Sequence, residues 1–120
     1  MSTPHPIRKV LVVDDERDLA ELAAALLSSH GLAVAVAYSV AEALQVLEND
    51  RAIDALFSDV MMPGMTGLQL AELVRQRYPA TRIVLTSGYI NPALLAKQDI
   101  VHAFVPKPYR IETVLDLLRG

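Results

Sequence analysis

Five short apolar runs alternate along the chain with stretches whose leucines, valines and alanines recur at helical spacing. That alternation constrains the fold more than any other feature. The runs are Lys9–Val13 (KVLVV), Leu32–Ala37 (LAVAVA), Asp54–Ser58 (DALFS), Arg82–Thr86 (RIVLT) and Val101–Val105 (VHAFV). Near-continuous apolar runs are what strands buried on both faces look like. After the first run, Leu19, Leu22, Ala23, Leu26 and Leu27 predict one apolar helix face, with Gly31 as its C-terminal stop. Ser39 to Glu42 reads S-x-x-E, a capping box, ahead of a face made by Val40, Ala43, Leu44 and Leu47. Leu70, Ala71 and Val74 mark a third helix, ending near Tyr78-Pro79. A short fourth helix is predicted from about Pro92, and Ile111, Val114, Leu115 and Leu118 stripe the last.

Five β/α units imply a parallel sheet with helices on both faces. They are too few for an eight-stranded barrel, so an α/β, open, doubly wound, five-stranded sheet is expected. Ligands of such sheets bind at the carboxyl ends of the strands.

Composition agrees with a single domain. The chain has 120 residues, of which 52% are hydrophobic, and composition does not shift between the units. Residues 1–6 are expected to form a flexible arm and residues 7–120 the domain. A net charge of −3 and 5% aromatic residues speak against direct nucleic-acid binding and against attraction to an anionic membrane. The absence of cysteine excludes thiolate metal sites and disulfides, which suits a cytoplasmic protein. The start, MSTPHP, has no signal-peptide core. His5, His30 and His102 have no metal-ligand spacing.

The polar residues concentrate at strand ends. Asp14 and Asp15 close the first run, Asp59 follows the third, Thr86 and Ser87 end the fourth, and Lys107 follows the fifth. In the expected fold all of them meet at one sheet edge. Each has an ordinary reading when taken alone. Asp15 could cap a helix, Ser87-Gly88 could be a turn, and Phe104 could be plain core. Together they describe three crowded carboxylates with one ammonium, a set that favours a hard divalent cation. Mg²⁺ beside a phosphoryl group fits that chemistry, with a carboxylate as the nucleophile.

The pieces VLVVDDE, SDVMMPGMTG, LTSGY and VPKPY, in this order and spacing, resemble the receiver domain of two-component response regulators, over residues 7 to 119. The resemblance implies the flavodoxin-like (βα)5 fold with strand order 2-1-3-4-5. It implies that Asp59 is the phosphoacceptor and that Asp14, Asp15, Asp59 and the backbone carbonyl of Met61 hold Mg²⁺. Ser87 would be the hydroxyl switch, with Thr86 a one-residue alternative, and Gly88 would leave room beside it. Lys107 would be the site lysine, followed by a cis proline, Pro108. Phe104 would be the aromatic switch, read out on a face including the fourth helix. Thr66 stands where an acidic residue is common and is expected to alter only a cap.

Implied partners are a histidine kinase or histidine phosphotransfer domain as donor and a downstream effector or the protein's own kinase domains as reader. A phosphorylation-dependent homodimer is a further implied state. The SGY and PKPY variants are similar to receivers of hybrid histidine kinases. Such a domain catalyses only its own phosphorylation and dephosphorylation, so it is not expected to be an enzyme of metabolism. Two rivals stand beside this reading. A haloacid-dehalogenase-type phosphatase would carry its nucleophile after the first strand. A phosphorylation-independent binding module would not need the acid set.

Overall fold

The computed structural model describes residues 7–62, 66–88 and 103–119. Five parallel strands, β1 (Lys9–Val13), β2 (Ala33–Ala37), β3 (Ala55–Asp59), β4 (Arg82–Ser87) and β5 (Ala103–Pro106), form one sheet in the order β2-β1-β3-β4-β5. Four helices are described: α1 (Arg17–Ser29), α2 (Val40–Asn49), α3 (Gly67–Arg77) and α4 (Ile111–Arg119). The expected order 2-1-3-4-5 is therefore present. The fourth helix predicted near Pro92 lies outside the described residues, as do the arm at residues 1–6 and Val101 and His102.

The central strands read as apolar runs because both of their faces are covered. Leu11, Val13, Leu56 and Leu85 pack with Ala43, Leu47, Leu70 and Val74 of α2 and α3. Val10, Val12, Phe57 and Val84 pack with Ala20, Ala23, Leu27, Val114, Leu115 and Leu118 of α1 and α4. Burying such a leucine or phenylalanine is worth roughly 1.5–3 kcal/mol each. The two layers thus hold the strand ends in a fixed row.

Chain punctuation follows the sequence with two refinements. Gly31 adopts φ +89°, and Leu32 N–H donates to Leu27 O while Gly31 N–H donates to Ser28 O, a Schellman stop for α1. At α2, Ser39 Oγ accepts Glu42 N–H, but the Glu42 carboxylate accepts from Tyr38 N–H, one residue before the cap. The reciprocal capping box is instead at α3. There Thr66 accepts Gln69 N–H and the Gln69 side chain accepts Thr66 N–H.

The predicted face of α1 is borne out at Ala23 and Leu27 and corrected at Leu19, Leu22 and Leu26. Ala20, Ala23 and Leu27 are the buried stripe, whereas Leu19, Leu22 and Leu26 are 37%, 56% and 36% exposed. The helix carries two apolar stripes about one residue apart, and alanine seats the closer one against the sheet. Three of the four leucines of the predicted face fall outside the buried stripe, and Leu27 falls in it.

Candidate phosphoacceptor site

Register explains how separate segments converge. β3 pairs with β1 through Val12↔Phe57 and Val13↔Ser58, and with β4 through Asp59↔Thr86. β4 pairs with β5 through Thr86↔Val105. Asp59 is the last residue of its strand, one residue further than the sequence pattern predicts. Asp14 therefore emerges beside Asp59, and Lys107 follows β5 over the same end.

Lys107 joins the two acids. Its Nζ donates to Asp14 Oδ2 at 3.1 Å and to Asp59 Oδ2 at 3.4 Å. Its backbone N–H donates to Ser87 O at 2.9 Å, which ties the lysine to the end of β4. The Lys107–Pro108 peptide bond is cis, as the resemblance implies. Asp59 Oδ1 accepts from Met61 N–H at 3.2 Å. Asp14 Oδ1 accepts from Glu16 N–H at 3.0 Å. Glu16 rather than Asp15 is the N-cap residue of α1. Asp15 is exposed, with its carboxylate free to face the cluster.

Charge and burial set the chemistry. Asp14 and Asp59 are buried. Burial pushes the Asp59 carboxyl above its usual range. The Lys107 charge opposes this and the Asp14 charge adds to it. Burial also works against the Lys107 ammonium, but its hydrogen bond to Asp14 and the charges of Asp59 and Asp14 outweigh that and hold it above its usual range. Asp14, Asp15 and Asp59 each bring a carboxylate oxygen within 4.8 Å of the others. Three carboxylates against one ammonium leave excess negative charge, so this oxygen donor set fits a hard divalent cation such as Mg²⁺.

Gly67 fits the site by lacking a side chain. A Cβ there would lie 2.0 Å from the Asp59 carbonyl oxygen. Its N–H donates to Val60 O at 2.9 Å, drawing the start of α3 against the end of β3. By contrast, among the described residues a Cβ on Gly88 would meet only the Lys107 side chain, at an ordinary 3.8 Å.

The remaining expected residues are also placed. Ser87 is buried at the end of β4. Phe104 is half-buried against the α2–α3 side of the sheet. Met61 is exposed beside Asp59. Tyr89, another residue near the site in sequence, lies outside the described residues.

Two features were not legible as site elements. Tyr109 packs edge-on against Phe57, with ring centroids 5.3 Å apart. It also lines a groove of about 450 Å³ with Leu19, Leu22, Leu26, Lys107 and Pro108. The sequence signals were the VPKPY piece, which carries Tyr109, and the surplus of leucines on α1.

The chain matches the response regulator receiver domain family over residues 10–119. It belongs to the response regulator receiver domain family. It is 39% identical over 113 residues to a response regulator receiver protein of Anaeromyxobacter sp. (strain Fw109-5), covering 92% of this chain and 47% of that one. The receiver domain of the hybrid histidine kinase CckA superposes with a TM-score of 0.74 at 34% identity, covering 90% and 93% of the two chains. The response regulator TrrA of Thermotoga maritima, in complex with Mg²⁺–BeF, superposes with a TM-score of 0.78 at 28% identity, covering 93% of this chain and 100% of that one. The chain spans a quarter to a half of the length of the curated relatives it matches. This receiver has no helix among the described residues long and apolar enough to cross a membrane.

Proposed function

We propose that this receiver takes a phosphoryl group from a partner's phosphohistidine onto Asp59. One observation carries the reading: Lys107 Nζ sits between Asp14 and Asp59, at the sheet edge where ligands of this fold bind. An Asp59 oxygen attacks phosphorus, a P–O bond forms, and the P–N bond to the histidine breaks. The electron pair leaves on the imidazole nitrogen, which takes up a proton. Lys107 lies within reach of both carboxylates and neutralises charge gathering on the phosphoryl oxygens. Met61 N–H holds Oδ1 and so fixes the plane of the nucleophile. Asp14, Asp15, Asp59 and the Met61 carbonyl would hold Mg²⁺. When bound, that ion supplies further neutralisation of the phosphoryl charge.

The donor is a histidine kinase or histidine phosphotransfer domain. The groove beside Lys107 supports a protein donor, because its exposed leucines are continuous with the acceptor site. Ser87 and Phe104 relay the phosphorylated state to an effector or to kinase domains of the same protein, in the cytoplasm. Hybrid-kinase context and a phosphorylation-dependent homodimer belong to this reading as well. The position of Asp59 at the end of β3, with adjacent acids after β1, speaks against the phosphatase alternative.

Acetyl phosphate with Mg²⁺, read by intact mass, tests the proposal. The wild type gains one phosphoryl group, and Asp59→Asn, which keeps the shape without the nucleophile, gains none. Equal labelling of both proteins would refute the assignment. Absence of labelling in the wild type would favour a phosphorylation-independent module.

A further inference from the structure

Thr86 is 2% exposed, and its Oγ1 has no hydrogen-bond partner among the described residues. A buried hydroxyl without a partner costs about 1–3 kcal/mol. Valine would fill nearly the same shape in a strand without that cost, so packing alone does not account for the hydroxyl.

Its position gives the hydroxyl a use. Thr86 is the register partner of Asp59 on β3 and of Val105 on β5. Paired residues of parallel strands point to the same face, about 4.8 Å apart. Val84 and Phe57, two residues earlier on each strand, pack together on the α1–α4 side. Thr86 and Asp59 therefore share that face, and Ser87 points to the other. In the row across the sheet edge, Asp14 lies on one side of Asp59 and Thr86 on the other. Asp59 accepts from Met61 N–H on Oδ1 and from Lys107 on Oδ2. A carboxylate offers about four lone-pair sites, so acceptor capacity remains beside an unused donor.

We propose that Thr86 is a positioning residue for the acceptor: in the reacting state its hydroxyl donates to the Asp59 carboxyl and holds its plane toward the incoming phosphorus. The two residues are register partners on neighbouring strands, so the hydroxyl and the carboxylate stand side by side on one face. This role rests on Asp59 being the phosphoacceptor. It is separate from that of Ser87, which lies one residue on and faces the other side.

The test compares wild type, Thr86→Val and Thr86→Ser for initial labelling rate with acetyl phosphate and Mg²⁺, and for melting temperature. Thr86→Val should label about five- to tenfold more slowly, as expected for loss of one hydrogen bond. It should melt no lower than the wild type, since it deletes an unpartnered hydroxyl. Thr86→Ser, which keeps the hydroxyl, should recover most of the rate. Wild-type labelling of Thr86→Val would overturn the role. Equal slowing in Thr86→Val and Thr86→Ser would overturn it too, by pointing to packing. A wild type that takes no label would instead overturn the acceptor assignment, and this role with it.

Discussion

Lys107 Nζ lies 3.1 Å from Asp14 Oδ2, although 93 residues separate them in the chain. The same ammonium reaches Asp59 across 48 residues. Lys107→Met would leave two buried carboxylates with no cation between them. Breaking a fully buried pair costs about 3–5 kcal/mol, and this pair sits at an open edge, so a loss of about 1–2 kcal/mol is expected. Urea unfolding without metal measures it. Added Mg²⁺ should recover part of the loss, because the cation takes over the same neutralisation. Unchanged stability would show that the ion pair is balanced by desolvation.

Asp15 is exposed and is not the N-cap residue of α1, so no cap is lost with its side chain. Asp15→Ala should raise the melting temperature of the metal-free protein slightly, by relieving carboxylate repulsion. It should also abolish the rise that the wild type shows with millimolar Mg²⁺, and labelling by acetyl phosphate should stop as it does with EDTA. Thermal melts with and without the ion decide this. A lower metal-free melting temperature would assign Asp15 a structural role.

Gly67→Ala should disturb the acceptor without touching any charge. The new methyl would fall 2.0 Å from the Asp59 carbonyl oxygen, where the opposing atom is backbone and cannot swing away. A stability loss of about 1–3 kcal/mol is expected, typical of overpacking. The labelling rate should fall with it, because the end of β3 must move. Thr66→Ala is the control: it loses the α3 cap, at about 1 kcal/mol, with labelling retained. Equal effects of the two on labelling would mean that α3 acts through its stability alone.

Ser87→Ala should still accept phosphate at Asp59 but lose most of the conformational response. Leu85↔Phe104 is a register pair, and strand alternation puts Ser87 on the same face as Phe104. A phosphoryl group adds acceptor oxygens for the Ser87 hydroxyl, and the state shifts only by such differential contacts. Amide spectra with and without beryllofluoride report this at Phe104. A full wild-type shift pattern in Ser87→Ala would remove Ser87 from the relay.

The sequence by itself determined the strands, the order of the units and the residues at the strand ends. Short runs such as KVLVV are apolar on both faces because both faces are buried, and that pattern is written in the order of the residues. The acids, the hydroxyls and Lys107 were legible because the parallel topology gathers every strand end at one edge. Only the tertiary structure decided which leucines of α1 face outward. Two apolar stripes of one helix differ by a rotation that hydrophobic spacing does not resolve, and the close approach of Ala20 and Ala23 to the sheet settles it. The need for glycine at position 67 was likewise hidden, since the clash is with the backbone of Asp59, brought there by the packing of α3. In the sequence, Thr86 and Ser87 are neighbouring hydroxyls told apart only by the Gly88 that follows Ser87. The register with Asp59 separates them, because alternate residues of a strand point to opposite faces.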